Sequence, residues 1–261
     1  MEDKEEIFKE YASNYLDLSP LMKLKLNHTL RVEKLSRRIA IEENFSDEEI
    51  KISTLCGLLH DIGRFEQFQR YSSFNDSKNE DHANLGVKVL MENNLINKFN
   101  ENEEQNLIIL KAIYNHNKYC IDEELSEEEA KITNLLRDAD KLDILNLYVI
   151  KEINLNIGEE TFSENMFNTL LNHQSASLKD KKTSADKLAI SLGFVFDLNY
   201  RESYQILKEK DYINKEIDMY IEKTNNKELI KQLNIIRKVI YNYIDYQINK
   251  NIKEEKKSLI K

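Results

Sequence analysis

Tryptophan is absent from this chain, and 261 residues include only one proline, five glycines and two cysteines. Strands joined by hairpins need Gly, Pro or Asn-Gly turn chemistry about every 8–12 residues, so this scarcity argues against a sandwich or a barrel. Cys56 and Cys120 lack the number and spacing of a disulfide framework or a zinc knuckle. Cys56, inside the apolar string STLCGLLH, reads as a core residue. Positive charge is not in excess: 38 Lys and Arg stand against 47 Asp and Glu, a net charge of −9. Duplex nucleic acid is therefore not an expected partner, since it demands a clustered basic surface. No run approaches the roughly 18 apolar residues of a membrane span. The N-terminal string MEDKEEIFKEY has no apolar stretch of the signal-peptide kind, so a cytoplasmic location is expected.

What the chain does have is helical punctuation. Ser19-Pro20 reads as an N-cap followed by proline at the first helical position, opening a helix to about residue 41. Ser46 and Glu49 suit a capping box that starts a helix running through His60 and stopping near Gly63. Further helices are predicted over 81–93, 103–117, 126–138 and 139–156, with Ser126 and Glu129 as a second capping box. Segments follow at 160–172, 184–197, 200–209 and 212–223, then a long helix over 226–250. In that last helix Leu229, Leu233, Ile236, Ile240 and Ile244 form an apolar stripe expected to pack on the body of the domain. The charged tail 251–261 is expected to fray. The fold expected is all-α, with a helical core over 1–156 and a helical extension over 157–261 packed on it.

Chemistry-bearing residues stand in an ordered series: His28, His60-Asp61, His82, His116 and Asp140. Imidazole and carboxylate are the usual ligands of divalent transition metals. Adjacent residues on a regular helix point about 100° apart, so His60 and Asp61 reach one centre only where the helix ends. A carboxylate can bridge two metals with its two oxygens, and imidazole cannot. A single metal would use His28, His60, Asp61 and Asp140; His82 and His116 would add ligands for a second. The fifth histidine, His173 in LLNHQSAS, has no such company and reads as a surface or capping residue.

This series resembles the HD superfamily of metal-dependent phosphohydrolases, and the strings NHTLRV, LLHDIGRF, DHANLG and RDADKLDIL carry the resemblance over roughly residues 25–150. It implies an all-helical bundle around one or two divalent ions (Mn, Fe, Co, Ni or Zn, with Mg as a further choice). It also implies hydrolysis of a phosphate ester, in a nucleotide or similar small metabolite, by a metal-bound hydroxide. His82 and His116 fall where members with binuclear centres place ligands for the second metal. The chain departs from the HD-GYP group: Arg64 replaces Lys after the HDIG string, and Asn117 rather than a second His follows His116. Cyclic-dinucleotide hydrolysis is not expected.

Arg64, three residues beyond the doublet, suits a bidentate clamp on phosphate or an ion pair with a nearby carboxylate. Lys141 is a second candidate catalytic cation, beside Asp140. Lys182, ahead of a helix that Thr183 could cap, is a candidate substrate contact. Two other readings share the ligand set: a di-iron oxygenase of the same superfamily, and a non-catalytic metal-stabilised sensor. The chain is expected to act as a monomer or homodimer on a small phosphorylated substrate.

Overall fold

A computed structural model of the chain describes residues 1–153 and 158–258, the stretch 251–258 as backbone alone. Every regular element among the described residues is a helix. By internal packing the chain falls into two compact units, Met1–Asp140 and Lys141–Lys261.

The first unit opens with α1 (Glu2–Ser13), a helix the sequence analysis leaves unassigned, which buries Phe8 and Ala12. α2 (Pro20–Glu42) begins where expected, with Leu21 N–H donating to the Ser19 hydroxyl at 3.2 Å. α3 (Asp47–Leu59) starts on the expected capping box: Glu49 N–H reaches Ser46 Oγ at 3.3 Å, and Ser46 N–H reaches the Glu49 carboxylate at 2.8 Å. The helix does not run on to Gly63. It ends at Leu59, and α4 (Ile62–Tyr71) begins directly after Asp61, whose φ of −101° and ψ of 14° break the spiral.

α5 (His82–Met91) is capped by Asp81, which accepts from Ala83 N–H and Asn84 N–H. α6 (Glu103–Asn115) follows, capped by Asn102. The predicted pair 126–138 and 139–156 is one continuous helix, α7 (Glu127–Val149), opened by the expected Ser126–Glu129 box. The helix ends at Val149 and turns over 150–153, short of the expected end at 156.

α2 packs along α3, α3 against α6, α4 against α5, and α5 against α6, with α1 laid on α2 and α3. Two glycines permit the closest approaches. A Cβ on Gly57 would sit 2.8 Å from Glu33 Cα and 3.0 Å from Val32 O, so bare backbone lets α2 and α3 touch. A Cβ on Gly63 would sit 2.2 Å from His82 O and 2.4 Å from Gly86 N, so the same device joins α4 to α5. Phe8 and Phe65, both fully buried, meet edge to face at 5.8 Å. Each such ring contributes about 1.5–3 kcal/mol by leaving water.

The second unit contains the end of α7 and then α8 (Glu164–Leu171), α9 (Asp186–Gly193), α10 (Arg201–Lys210), α11 (Tyr212–Lys223) and α12 (Lys227–Ser258). All five residues of the apolar stripe on α12 are buried, and α12 packs against α8, α10 and α11. α12 passes its expected end at 250; the expected fraying of 251–261 concerns side chains, and from 259 whole residues, outside the described part. No helix among the described residues is long and apolar enough to cross a membrane.

Candidate metal centre

Six residues of the series come together in the first unit. His28 lies on α2, His60 caps α3, Asp61 occupies the break before α4, His82 opens α5, His116 caps α6, and Asp140 lies on α7. Four of the six sit at helix ends, where a side chain escapes the 3.6-residue spiral and can turn toward a common point. His28, His60, Asp61, His82 and His116 are each at most 5% exposed. The Asp140 side chain is 18% exposed and forms the open edge.

The imidazoles meet in two pairs. His28 Nε2 and His60 Nε2 are 3.2 Å apart; His82 Nε2 and His116 Nε2 are 3.0 Å apart. Asp61 stands between them. Its Oδ2 faces His28 at 3.6 Å and His60 at 3.8 Å, while its Oδ1 faces His82 at 3.4 Å. Asp140 Oδ1 completes the first pair, 3.2 Å from His28 Nε2 and 3.7 Å from His60 Nε2. Two sets of potential ligand atoms therefore share one carboxylate: His28, His60 and Asp61 on one side, Asp61, His82 and His116 on the other.

Hydrogen bonds behind the rings fix which nitrogen faces inward. The Gly57 carbonyl lies 2.8 Å from His60 Nδ1, and the Ile113 carbonyl lies near His116 Nδ1 at 2.6 Å. A carbonyl only accepts, so each Nδ1 carries the proton and each Nε2 presents a lone pair to the centre. His82 Nδ1 lies 2.9 Å from Asp76 Oδ2, so neutral His82 is held in the same tautomer. Burial lowers the pKa of His60, and burial with the neighbouring His82 and His60 lowers that of His116 to about 3. His60 and His116 are therefore neutral at pH 7. A cation placed among these inward-facing Nε2 atoms would be coordinated by them. The donor set of imidazole nitrogen and carboxylate oxygen fits a divalent transition metal.

Burial alone would push the Asp61 carboxyl up, but Lys25, His60, Arg64 and His82 outweigh it and hold the group ionised well below the usual range. Asp140 behaves alike: burial raises it, while the hydrogen bond to His28 and the nearby His60 and His116 bring it below the ordinary carboxylate value.

Three residues that sequence reasoning missed build this environment. Lys25 Nζ lies 2.7 Å from Asp61 Oδ2. It stands three residues before His28, a spacing that shares a helix face and was legible. Asp76 lies in the polar connection 72–81 and accepts from Arg64, Gln67 and His82, which together hold its carboxyl below the usual range against the opposing effect of burial. Arg137, one turn before Asp140, donates to the carbonyls of Asn115, His116, Lys118 and Tyr119, so it closes the C-terminal end of α6 and seats His116 there.

Two of the candidate substrate cations have carboxylate partners, and the third is exposed. Arg64 Nη1 donates to Gln67 Oε1 at 2.9 Å, to Phe74 O at 2.9 Å and to Asp76 Oδ1 at 3.1 Å, and its Nε lies 3.5 Å from Asp61 Oδ1. The ion pair expected of it is present, to Asp61 and Asp76. Lys141, in the second unit, pairs with Asp197 at 2.8 Å. The Lys182 side chain is exposed, while its backbone N–H and that of Thr183 donate to the Asp186 carboxylate and Asp186 N–H returns a bond to Thr183 Oγ1. This is a local capping arrangement. His173 is exposed, as expected of a surface residue, and rests against Phe196 and Tyr243. Cys56 is free and fully buried, and burial pushes its thiol well above the usual range.

No curated protein and no solved structure matches the chain. Residues 26–146 match the family model of the HD domain, a span that takes in all six residues of the series. Over that span the chain is similar to the HD domain family.

Proposed function

We propose that the chain is a metal-dependent phosphohydrolase with a binuclear centre, acting on a phosphate ester of a nucleotide or a similar small metabolite. The observation that carries this reading is Asp61, whose Oδ2 faces one imidazole pair and whose Oδ1 faces the other. His28, His60 and Asp140 would hold one divalent ion, His82 and His116 the other, with Asp61 shared. Such ions supply Lewis acidity toward phosphoryl oxygens and ionise a water near neutral pH.

The protein's own residues do the rest. Asp61 keeps its charge at neutral pH because four cationic or polar neighbours outweigh its burial. Gly57 and Ile113 carbonyls keep His60 and His116 in the ligand tautomer. Lys25, whose ammonium reaches the centre and whose side chain is still 18% exposed, is the cation best disposed to offset phosphoryl charge. Arg64 holds the connection 72–81 in place through Phe74 and Asp76.

The test is a panel of phosphomonoesters and phosphodiesters assayed with chelator-stripped protein, then with Mn²⁺ or Co²⁺ restored. Turnover of at least one class with metal, and none without, is the expected result. A protein that turns over no phosphoester under any metal, or that instead consumes oxygen with an iron chromophore, would sink the reading.

A further inference from the structure

The connection between α4 and α5 carries a carboxylate aimed back at the centre. Asp76 Oδ2 accepts from His82 Nδ1 at 2.9 Å. Asp76 Oδ1 accepts from His82 N–H at 3.1 Å, Gln67 Nε2 at 2.8 Å and Arg64 Nη1 at 3.1 Å. One side chain thus fixes both the backbone and the ring of the residue that opens α5. The Arg64 guanidinium spans from this carboxylate to Asp61 Oδ1, at 3.5 Å. Neither of the other two inward-facing rings with a fixed Nδ1 has a carboxylate behind it: His60 leans on the Gly57 carbonyl and His116 on that of Ile113.

A charged acceptor behind an imidazole does more than orient it. It makes the opposite nitrogen a stronger electron donor, and losing such a partner costs about 10–100-fold in metal affinity. The asymmetry among the histidines therefore predicts an asymmetry between the two metal sites.

We propose that Asp76 is a positioning residue for His82, so that the connection 72–81 sets the affinity of the Asp61–His82–His116 site while leaving the His28–His60–Asp140 site untouched. The proposal rests on the binuclear reading above. It extends that reading to a residue that touches neither metal nor substrate.

Calorimetric titration of the metal-stripped full chain with Mn²⁺ separates the two ideas. The wild type is expected to bind two ions. Asp76→Asn, which keeps the shape and loses the charge, should bind one ion at wild-type affinity and the other about 10–100-fold more weakly. Asp76→Glu should recover most of that loss. Imidazole ¹⁵N shifts supply a second readout on the folded proteins: His82 alone should lose its fixed Nδ1–H tautomer in Asp76→Asn, with His60 and His116 unchanged. Two ions bound by Asp76→Asn with both affinities at wild-type level would overturn the role of Asp76 and leave the binuclear reading standing. A wild type that binds a single ion would overturn both. If Asp76→Asn does not fold, unequal loss of the two ions in Asp76→Glu supports the proposal, and equal loss contradicts it.

Discussion

Asp61 illustrates how a buried charge is tolerated. An ionised carboxylate removed from water costs several kcal/mol unless partners compensate. Here Lys25, Arg64 and the surrounding imidazoles do so. Glu216 in the second unit is the opposite case. It is fully buried, and burial raises its carboxyl to about 8. Ser191 Oγ lies 2.6 Å from Glu216 Oε1, to which it donates, and 3.0 Å from the Leu188 carbonyl; burial outweighs that bond. The unfolded chain releases this proton above its ordinary pKa of 4.5, whereas the folded chain keeps it until about 8. Its contribution to stability is therefore complete below pH 4.5 and declines as pH rises to 8. At about 1.4 kcal/mol per pH unit this loss reaches about 3 kcal/mol at pH 7. Glu216→Gln has no proton to lose, so its stability relative to wild type should climb between pH 5 and pH 8. Thermal melts across that range check this; a flat difference would mean that the carboxyl is ionised in the fold. At the same scale, the ligand series was legible because His and Asp declare their chemistry by type and order. Lys25 could be read from its spacing to His28 on one helix face; Asp76 and Arg137 could not, because each acts through a partner that only the folded chain supplies.

Helices supply the geometry that single residues cannot. The doublet works because the chain breaks at Asp61, between α3 and α4, while His60 keeps the last helical turn of α3. The sequence suggested a loosened helix end here, but located the stop at Gly63. Gly63 lies inside α4, and its purpose is contact: its missing side chain admits the His82 carbonyl and the Gly86 backbone of α5. Gly63→Ala should force α5 outward and take His82 with it. Overpacking of this kind costs about 1–3 kcal/mol. The expected outcome is a lower urea midpoint for the metal-stripped protein together with weaker binding of one Mn²⁺ of two. An unchanged midpoint would show that α4 and α5 have slack at this crossing. The caps at Ser19, Ser46 and Ser126 were readable because capping is local. The continuity of α7 was missed although its span contains neither Gly nor Pro; placing Asp140 at a helix start invented a break. α1 went unassigned because its buried face amounts to Phe8 and Ala12, too little to read as a stripe.

For the molecule as a whole, the match to the HD domain ends at residue 146, and the helices from α8 onward carry the remainder. All-α architecture was legible from the scarcity of Gly and Pro, since nothing in the composition supports repeated tight turns. The grouping of two imidazole pairs about one carboxylate was legible as a ligand set, but its distances were not, because they depend on how five helices and a chain break converge. It is also the central claim. The direct test is elemental analysis of reconstituted protein, wild type beside Asp61→Ala, with phosphoester turnover measured on the same samples. Two divalent ions per wild-type chain, and loss of both metal retention and turnover in Asp61→Ala, is the result predicted. Full metal content and full activity in Asp61→Ala would contradict it.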